Sequence, residues 1–595
     1  MSAFTTRPEI LGHFGVVTST HWIASSVGMA MLERGGNAFD AAVAAGLVLQ
    51  VVEPHLNGPG GELSAILWSA RDQRCDVICG QGPAPAAATI KQYRDQGLSH
   101  IPGDGLLATV IPGAWDAWML MLRDYGRLRL REVLEPAIHY ASAGHPCLPR
   151  VAATIAGLSD FFAQNWPSSH RLWLPDGRPP APGARLRNPD LARSYSRILT
   201  GAEAHAGRDA QIEAARDAFY RGFVAEQMAT WLDTQTLPDS EGRPQRALLT
   251  ASDMAGYSAR IEAPVWGEFD AWRLAKCGPW TQGPVLLQSL ALLGGPEIGA
   301  LDPSGAEFIH RVTEAMKLAQ ADREIYLGDP DFVDVPLPKL LCEDYTAARR
   351  ALIGPQASLD LRPGHVAGYE DQRARMLKAI DRLSSTQGAV YEPTMAHLAR
   401  RRGDTVHLDV IDSDGNMVAV TPSGGWLQSS PALGDLGFCL NTRAQMFWLD
   451  AGLPGSLAPG KRPRTTLSPS FALHDGRPRM VFGTPGGDQQ DQWQLIFFLY
   501  HAAFGMGLQE ALDAPLFHST HAPASFYPRS RKPGEIVVEA SFGPKVIADL
   551  RAVGHDVQVV PAMTVGRLTA AARDHTGMLR AGASPRLMQA YAVGR

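Results

Sequence analysis

The sequence lacks the features that mark membrane, secreted and nucleic-acid-binding proteins. Residues 1–20 hold no basic patch followed by an apolar stretch, so no secretory signal is visible, and the longest apolar-rich segment, Ala41–Val52, is too short to span a bilayer. The net charge of -5 gives no general attraction for a nucleic acid. We therefore expect a cytoplasmic protein whose partner is a small molecule.

Paired cysteines, linkers and repeats are also absent. The six cysteines do not have the paired spacing of metal ligands, which fits reduced thiols, and we expect Cys75 and Cys79 to be strand residues. No Ser/Gly linker, charge block, low-complexity tract or internal repeat divides the 595 residues. Because 45% of the residues are hydrophobic, the chain can bury a large core, and we expect one interleaved body.

Local patterns predict a mixture of helices and strands. Ser26–Arg34 has helical composition and ends at two glycines, and Asn37 can cap a second helix that runs to Gln50. Apolar residues between 309 and 319 recur at helical spacing, so this segment should pack one face on the core. The segments predicted to form strands are 405–421, Met480–Phe482 and Glu535–Glu539.

Thr405 opens a predicted β-hairpin. Val406, Leu408 and Val410 alternate with polar residues, as in a strand with one buried face, and a turn over 413–416 leads to a second apolar run. We expect Thr405 to lie at the free edge of this hairpin. From these residues alone, it can be an ordinary β-forming residue or a nucleophile.

A threonine becomes a competent nucleophile when the peptide bond before it breaks. The hydroxyl is a poor nucleophile at neutral pH, but the freed α-amine titrates near pH ~8 and can accept the hydroxyl proton. Cleavage before Thr405 would supply that amine. The hairpin pattern does not decide whether such cleavage occurs.

Several short blocks along the chain supply the wider context. They are Met31–Ala42, Gly60-Gly61, Val110–Ala114, Glu135–Ile138, Thr405–Val420, Lys461–Pro463, Leu467–Pro469 and Gly483–Gly487. Their order and spacing resemble the γ-glutamyltransferase (γ-glutamyltranspeptidase) family of N-terminal-nucleophile (Ntn) hydrolases. The resemblance runs through nearly the whole chain.

The resemblance implies an α+β fold of the four-layer αββα type, in which helices cover two central sheets and both halves of the chain contribute strands. It also implies autocatalytic cleavage between Asp404 and Thr405, which gives a large segment, 1–404, and a small segment, 405–595. These products would form a heterodimer that could assemble further into a homo-oligomer. The chemistry requires no metal or organic cofactor.

The resemblance also assigns catalytic roles. Thr405 would be the nucleophile, and Ser423 stands where the family has a threonine that supports the nucleophile's hydroxyl. Gly486 and Gly487 precede a helix-like run, and backbone N–H groups at the start of a helix can stabilise a tetrahedral oxyanion. A plain turn is the alternative interpretation of these two glycines.

Thr465 and Thr466 stand where the family has two small hydroxyl residues that contact the substrate carboxylate. Here serines are replaced by threonines, so the hydrogen-bonding function could survive in a narrower space. The alternative is that both are ordinary β-forming residues.

The positions that would bind a γ-glutamyl group depart from the family's pattern. Gln81 replaces an arginine and Gly425 an asparagine, while Arg443 and Met446 replace the polar or acidic pair that binds the α-ammonium. An arginine cannot accept a hydrogen bond from an ammonium. Arg443 could bind a substrate carboxylate, or it could form a surface or structural ion pair.

These departures favour an Ntn amidohydrolase or acyltransferase whose substrate is a small amide, such as an oxamate-like compound, rather than necessarily a γ-glutamyl compound. A true γ-glutamyltransferase that hydrolyses glutathione is the alternative. A non-catalytic relative that keeps the fold as a binding module is a further hypothesis.

Overall fold

The computed structural model describes residues 4–383 and 405–595, so Asp404, on one side of the predicted cleavage site, lies outside the described residues. The strands in chain order are β1 (Ile10–Gly12), β2 (Gly15–Ser19), β3 (Glu62–Ser69), β4 (Arg74–Gly80), β5 (His145–Pro146), β6 (Arg185–Leu186), β7 (Leu237–Pro238), β8 (Pro244–Gln245), β9 (Arg260–Glu262), β10 (Val265–Phe269), β11 (Trp272–Lys276), β12 (Leu408–Asp412), β13 (Met417–Ser423), β14 (Ser470–His474), β15 (Arg477–Gly483), β16 (Phe517–Ser519), β17 (Glu535–Glu539), β18 (Asp556–Val560), β19 (Thr569–Arg573), β20 (Leu579–Ala583) and β21 (Tyr591–Gly594).

The helices of the described residues are α1 (Trp22–Glu33), α2 (Ala38–Val52), α3 (Ile90–Asp95), α4 (Ala114–Tyr125), α5 (Leu130–Ala143), α6 (Pro149–Asn165), α7 (Pro167–Trp173), α8 (Pro189–Ala202), α9 (Arg208–Tyr220), α10 (Phe223–Thr234), α11 (Ala251–Ala255), α12 (Pro284–Leu293), α13 (Gly295–Gly299), α14 (Ala306–Tyr326), α15 (Leu337–Leu340), α16 (Glu343–Arg350), α17 (Glu370–Asp381), α18 (Gln490–Ala502), α19 (Leu508–Asp513) and α20 (Pro544–Ala552).

Two seven-stranded sheets form the centre of the molecule. The first has the order β21-β2-β12-β13-β3-β4-β9 and the second the order β1-β20-β19-β15-β14-β11-β10, with antiparallel pairing throughout. Both sheets combine strands that precede residue 384 with strands that follow residue 404. The two sides of the predicted cleavage site therefore share each sheet, while the division into two segments stays a prediction.

Three apolar clusters separate the layers. Side chains such as Val16, Ile411 and Val481 pack between the two sheets. Leu408 and its neighbours on the other face of the first sheet pack against α1, α2, α4 and α5. On the outer face of the second sheet, Phe482 packs with α12, α14 and α18. The order of layers is helix, sheet, sheet, helix, which confirms the predicted αββα sandwich.

Locally encoded helices agree with the sequence analysis. Asn37 caps α2 by accepting hydrogen bonds from the Phe39 and Asp40 N–H groups, and the Asp40 carboxylate accepts a hydrogen bond from the Asn37 N–H. The helix runs to Val52, two residues beyond the predicted end. Cys75 and Cys79 lie in β4 as predicted, and all six cysteine thiols are free of disulfides.

The helix predicted between 309 and 319 is longer and more buried than expected. It is part of α14, which spans Ala306–Tyr326 and is buried on nearly all sides instead of on one face. Side chains of the segment that contains α16 and α17, such as Tyr345 and Met376, cover its outer side. Its buried charges are paired, as between Asp322 and Arg349 at 3.3 Å.

The predicted hairpin exists, but its expected place in the fold was wrong. The first strand begins at Leu408, three residues after Thr405, and both strands lie in the middle of the first sheet, between β2 and β3, instead of at a free edge. The polar positions that alternate along it face the second sheet and not solvent, since His407 and Asp409 are fully buried.

The predicted strand Glu535–Glu539 is β17, which lies in a separate three-stranded sheet with β16 and β18. The predicted strand Met480–Phe482 is part of β15 in the second central sheet. In residues 4–383 and 405–595, no helix is long and apolar enough to cross a membrane.

Candidate active site

Thr405 lies between the two central sheets. It precedes β12 and is fully buried, and the Val406 N–H donates to the Pro422 carbonyl at 3.1 Å, which holds this segment against the end of β13. By the alternation of side chains along a strand, Thr405 shares the inter-sheet face with His407 and Asp409. Its Oγ1 lies 3.2 Å from Ser423 Oγ.

Neighbouring strands bring a row of polar residues to this end of the first sheet. Ser423 at the end of β13 pairs in register with Glu62 at the start of β3, and Gly80 at the end of β4 pairs with Leu63, so that Gln81 follows directly. Adjacent strands are about 4.8 Å apart. Four adjacent chain segments therefore each place one residue at the same level of the sheet: Thr405, Ser423, Glu62 and Gln81.

Glu62 is a site residue that sequence reasoning missed. Its Oε1 accepts a charge-assisted hydrogen bond from Arg443 Nε, and both side chains are fully buried. Another nitrogen of the same guanidinium, Nη2, donates to Ser423 Oγ at 2.5 Å. The signal in the sequence was the position of Glu62 directly after the Gly60-Gly61 block, but nothing local identifies its partner 381 residues away.

Arg443 is thus held inside the protein. Beyond Glu62 and Ser423, the guanidinium carbon lies 5.1 Å from the ring centre of Trp426 and 5.6 Å from that of Phe526, within range of cation–π attraction. Of the two interpretations left open by the sequence, these contacts correspond to an internal ion pair. A direct contact between Arg443 and a substrate stays a prediction.

Close packing of glycines explains the backbone around Ser423. Gly425 has φ of 67°, and an added Cβ there would lie 2.9 Å from the Gly61 nitrogen, while one on Gly61 would collide with the Ser423 carbonyl. The Asn441 amide also donates to the Gly60 carbonyl at 3.1 Å. Gly425 can offer a substrate only its backbone, and its predicted role at the substrate site stays untested.

The turn with Gly486 and Gly487 connects β15 to α18. Their φ angles are 135° and 57°, and a Cβ on Gly486 would overlap the Trp493 ring. Gly483, which ends β15, leaves no room for a side chain beside the His407 ring, so the turn starts at the same end of the sandwich as Thr405. The arrangement fits the predicted oxyanion role, which stays a prediction.

Buried polar contacts hold this turn in place. Gln282 Nε2 donates to the Gly487 carbonyl at 3.2 Å, and Arg323 Nη1 donates to Asp488 Oδ1 at 2.5 Å. Burial would raise the pKa of Asp488, but the charge of Arg323 and the hydrogen bonds from Ser525 outweigh it and lower that pKa below its ordinary value. Asp488 therefore stays ionised and anchors the turn.

The remaining predicted substrate residues have different surroundings. Thr465 is tied to the first half of the chain through its N–H, which donates to the Trp280 carbonyl at 2.9 Å. The buried atoms Thr466 Oγ1 and Gln81 Oε1 have no hydrogen-bond partner among the residues that the structure describes. Met446 ends a short 3-10 turn, Arg443–Met446, and is buried. The substrate-binding roles of Thr466 and Gln81 stay predictions.

A second polar group missed by the sequence analysis lies beneath Thr405. His407 Nδ1 is 2.9 Å from Thr421 Oγ1 and its Nε2 is 2.9 Å from Asp409 Oδ1, while Thr18 and Thr569 donate to the other carboxylate oxygen. Because every member is hydrogen-bonded, this group can be buried between the sheets. It joins the strand after Thr405 to three other strands.

The side chains at the candidate site suit nucleophilic chemistry, and the group with metal-ligand spacing lies elsewhere. The group with metal-ligand spacing among the described residues is His310, Glu314 and His555. Glu314 in this group already forms ion pairs with Lys317 and Arg362, each at 2.7 Å, so its negative charge is already paired with cationic side chains. At the candidate site, a buried hydroxyl is positioned by a second hydroxyl and an arginine, beside a glycine turn that begins a helix.

Comparisons with known proteins agree with this geometry. The family model described as Gamma-glutamyltranspeptidase matches residues 24–594. The solved structure of LmbA2991 is 48% identical, with a TM-score of 0.92 and all of both chains covered. The glutathione hydrolase-like YwrD proenzyme of Bacillus subtilis is 30% identical over 97% of this chain and 98% of its own. The oxamate amidohydrolase proenzyme of Klebsiella pneumoniae is 31% identical over 96% and 97%.

Proposed function

This chain belongs to the gamma-glutamyltranspeptidase family of Ntn hydrolases, and we propose that it cleaves itself between Asp404 and Thr405 and then uses Thr405 to hydrolyse a small amide or transfer its acyl group. The observation that carries this proposal is the buried Thr405 hydroxyl, 3.2 Å from Ser423 Oγ, which in turn accepts a hydrogen bond from Arg443. Ser423 is the positioning residue of this arrangement.

Maturation uses the same hydroxyl as catalysis. Thr405 Oγ attacks the Asp404 carbonyl carbon, the C–N bond breaks as the hydroxyl proton passes to the Thr405 nitrogen, and the acyl group moves from nitrogen to oxygen as an ester. Water then hydrolyses the ester, leaving a carboxylate on Asp404 and a free α-amine on Thr405. The products are the segments 1–404 and 405–595, which stay together because both contribute strands to each central sheet.

In turnover, the freed α-amine accepts the proton of the Thr405 hydroxyl as Oγ attacks the amide carbonyl of the substrate. The N–H groups of Gly486 and Gly487 stabilise the oxyanion of the tetrahedral intermediate. As this intermediate collapses, the α-ammonium returns the proton to the leaving amine. Water, or another amine in the case of transfer, then attacks the acyl-enzyme and releases Thr405.

The substrate is an amide that is not necessarily a γ-glutamyl compound. Met446 offers no side-chain acceptor to an α-ammonium, Gly425 has no side chain, and Arg443 already donates from Nε to Glu62 and from Nη2 to Ser423. The similarity to an oxamate amidohydrolase proenzyme supports a small carboxylate-bearing amide. The similarity to a glutathione hydrolase-like proenzyme keeps a true glutathione hydrolase as the alternative.

Two measurements test the proposal. On a denaturing gel the purified protein should give two fragments, and N-terminal sequencing of the smaller one should begin at Thr405, whereas Thr405→Ala should give one uncut band. γ-Glutamyl-p-nitroanilide should then be compared with a panel of simple amides. An uncut wild type without amidase activity would favour a non-catalytic relative, and dominant γ-glutamyl turnover would favour the alternative.

A further inference from the structure

The loop between β16 and β17 contacts residues of the candidate site. The ring centre of Phe526 lies 5.6 Å from the Arg443 guanidinium carbon, and the Ser525 N–H and hydroxyl donate to Asp488 at 2.8 and 2.6 Å. The Tyr527 N–H donates to Gln445 Oε1 at 3.1 Å. This loop therefore touches both the arginine behind the nucleophile and the residue that follows the glycine turn.

Arg529 belongs to the same loop and is fully buried. Its Nη2 donates to the carbonyls of Gln445 and Phe447, at 3.2 and 3.0 Å, and its guanidinium carbon lies 4.4 Å from the Trp448 ring centre. These carbonyls flank Met446, at the corner where the family resemblance places substrate binding. Arg529 has φ of 62°, an uncommon backbone conformation for a residue with a side chain.

This arginine has no carboxylate partner. Within residues 4–383 and 405–595, no acidic group lies within ion-pair distance of it, and its buried Nη1 has no hydrogen-bond partner. Buried arginines are ordinarily paired, because an unpaired buried charge is costly. Burial lowers the pKa of Arg529 to about 10, although the charge of Glu324 acts in the opposite direction.

The charges around Arg529 leave one positive charge in excess. Arg323 pairs with Glu324 at 2.8 Å and with Asp488 at 2.5 Å, and Arg464 pairs with Glu324 at 2.8 Å. Two carboxylates thus face three arginines, and Arg529 pairs with neither of them. Arg464 also donates to Ser525 Oγ at 3.2 Å, so the segment that leads to Thr466, whose buried hydroxyl is unpartnered among the described residues, contacts this loop.

We propose that Arg529 is a substrate-binding residue that holds a carboxylate of the amide substrate, so that the site selects amides with an anionic group. This inference rests on the proposed function, because it assigns the recognition of the amide that Thr405 cleaves. A carboxylate at Nη1 would balance the excess charge and satisfy the buried N–H groups with a charge-assisted hydrogen bond. It also explains how the site binds an acid although Gln81 replaces the family's arginine.

The test compares a charged and a neutral acyl donor with the same five-carbon diacid chain on the processed enzyme. The substrates are glutaryl-p-nitroanilide and its methyl ester, and the variants are Arg529→Gln and Arg529→Lys. We expect Arg529→Gln to lower kcat/KM for the glutaryl substrate about 10- to 100-fold, mainly through KM, because a hydrogen bond to a charged group is lost. The methyl ester should change less than about twofold, and Arg529→Lys should lie between the wild type and the glutamine variant for the glutaryl substrate.

Arg586→Gln is the matched control. Arg586 is equally buried but pairs with Glu539 at 2.8 Å, so its loss should lower Tm without changing the preference for the charged substrate. An unchanged preference in both Arg529 variants, or equal losses for both substrates, would overturn the proposal. If Arg529→Gln does not fold, the lysine variant decides by the same criterion.

Ligand binding separates this inference from the proposed function. Glutarate should raise the Tm of the wild type and not that of Arg529→Gln, whether or not the protein turns over an amide. If no chain begins at Thr405 and no amide is cleaved, the proposed function is wrong, and this comparison still tests the arginine. An equal shift, or no shift, in both proteins would overturn the assignment of Arg529.

Discussion

The buried pair of Glu62 and Arg443 gives the sharpest test of how the site is built. In Glu62→Gln the shape is nearly kept, but the Arg443 guanidinium loses the carboxylate that pairs with its Nε, in a place with no solvent exposure. Removing one partner of a buried ion pair costs about 3–5 kcal/mol, because the remaining charge stays desolvated. The variant should therefore be destabilised, and Arg443 should no longer hold Ser423 in place.

The expected thermal shift follows from the size of the chain. At about 2.1 cal/mol/K per residue, unfolding of a chain this long has an entropy of about 1.2 kcal/mol/K. A loss of 3–5 kcal/mol then lowers Tm by about 2–4 °C. In the processed enzyme, kcat should fall by about tenfold, the factor that corresponds to one hydrogen bond of about 1.4 kcal/mol in positioning the nucleophile.

Calorimetry in a Thr405→Ala background measures the Tm shift between proteins that are all expected to be uncut. The double variant Glu62→Gln/Arg443→Gln removes both charges and should recover at least half of the loss, since the stranded charge is then gone. A shift below about 1 °C in Glu62→Gln, or a double variant that is as unstable as the sum of the single ones, would refute the reasoning from an uncompensated charge.

Three further outcomes are expected. Thr405→Ala should stay one uncut chain without amidase activity, whereas Thr405→Ser should yield two bands on a denaturing gel, because it keeps the hydroxyl. Gly486→Ala should lower kcat about 10²- to 10³-fold if the turn forms the oxyanion hole, and the overlap of the new Cβ with Trp493 should also lower Tm. The control is Gly201→Ala, in a helix with open space around the added Cβ, which should leave kcat unchanged and Tm equal or higher. Burial lowers the pKa of Lys461 from 10.5 to about 8. Between these two pH values the unfolded chain binds more protons than the folded chain, so the Tm of the wild type should rise with pH across this window, and Lys461→Met should lack this component of the rise. A wild-type Tm profile that matches that of Lys461→Met would contradict it.

Features encoded by neighbouring residues were predictable from the sequence. The capping box of α2 needs only Asn37 and Asp40, three positions apart, and the strand Glu535–Glu539 is visible as a short run of β-branched residues after a glycine. The order of the motif blocks also predicted the four layers, because the resemblance spans nearly the whole chain.

Features that depend on distant partners were not predictable. Alternating polar residues in the strand after Thr405 suggested a solvent-facing side, but His407 and Asp409 are buried because Thr18, Thr421 and Thr569 satisfy them from other strands. The role of Glu62 was not predictable for the same reason, because its partner lies 381 residues away. Local alternation tells which residues share a face, but not what covers that face.

The electrostatics of the site argue against a γ-glutamyl group as its best acyl donor. Glu62 pairs with Arg443, while the cluster around Arg529 has one arginine more than it has carboxylates. A γ-glutamyl donor brings an α-ammonium as well as a carboxylate, and next to Met446 this ammonium would be desolvated without an acceptor, at a cost of several kcal/mol. A glutaryl donor differs only by lacking that amine. Glutaryl-p-nitroanilide should therefore exceed γ-glutamyl-p-nitroanilide in kcat/KM, and the reverse order would mean that acceptors for an ammonium exist in this corner.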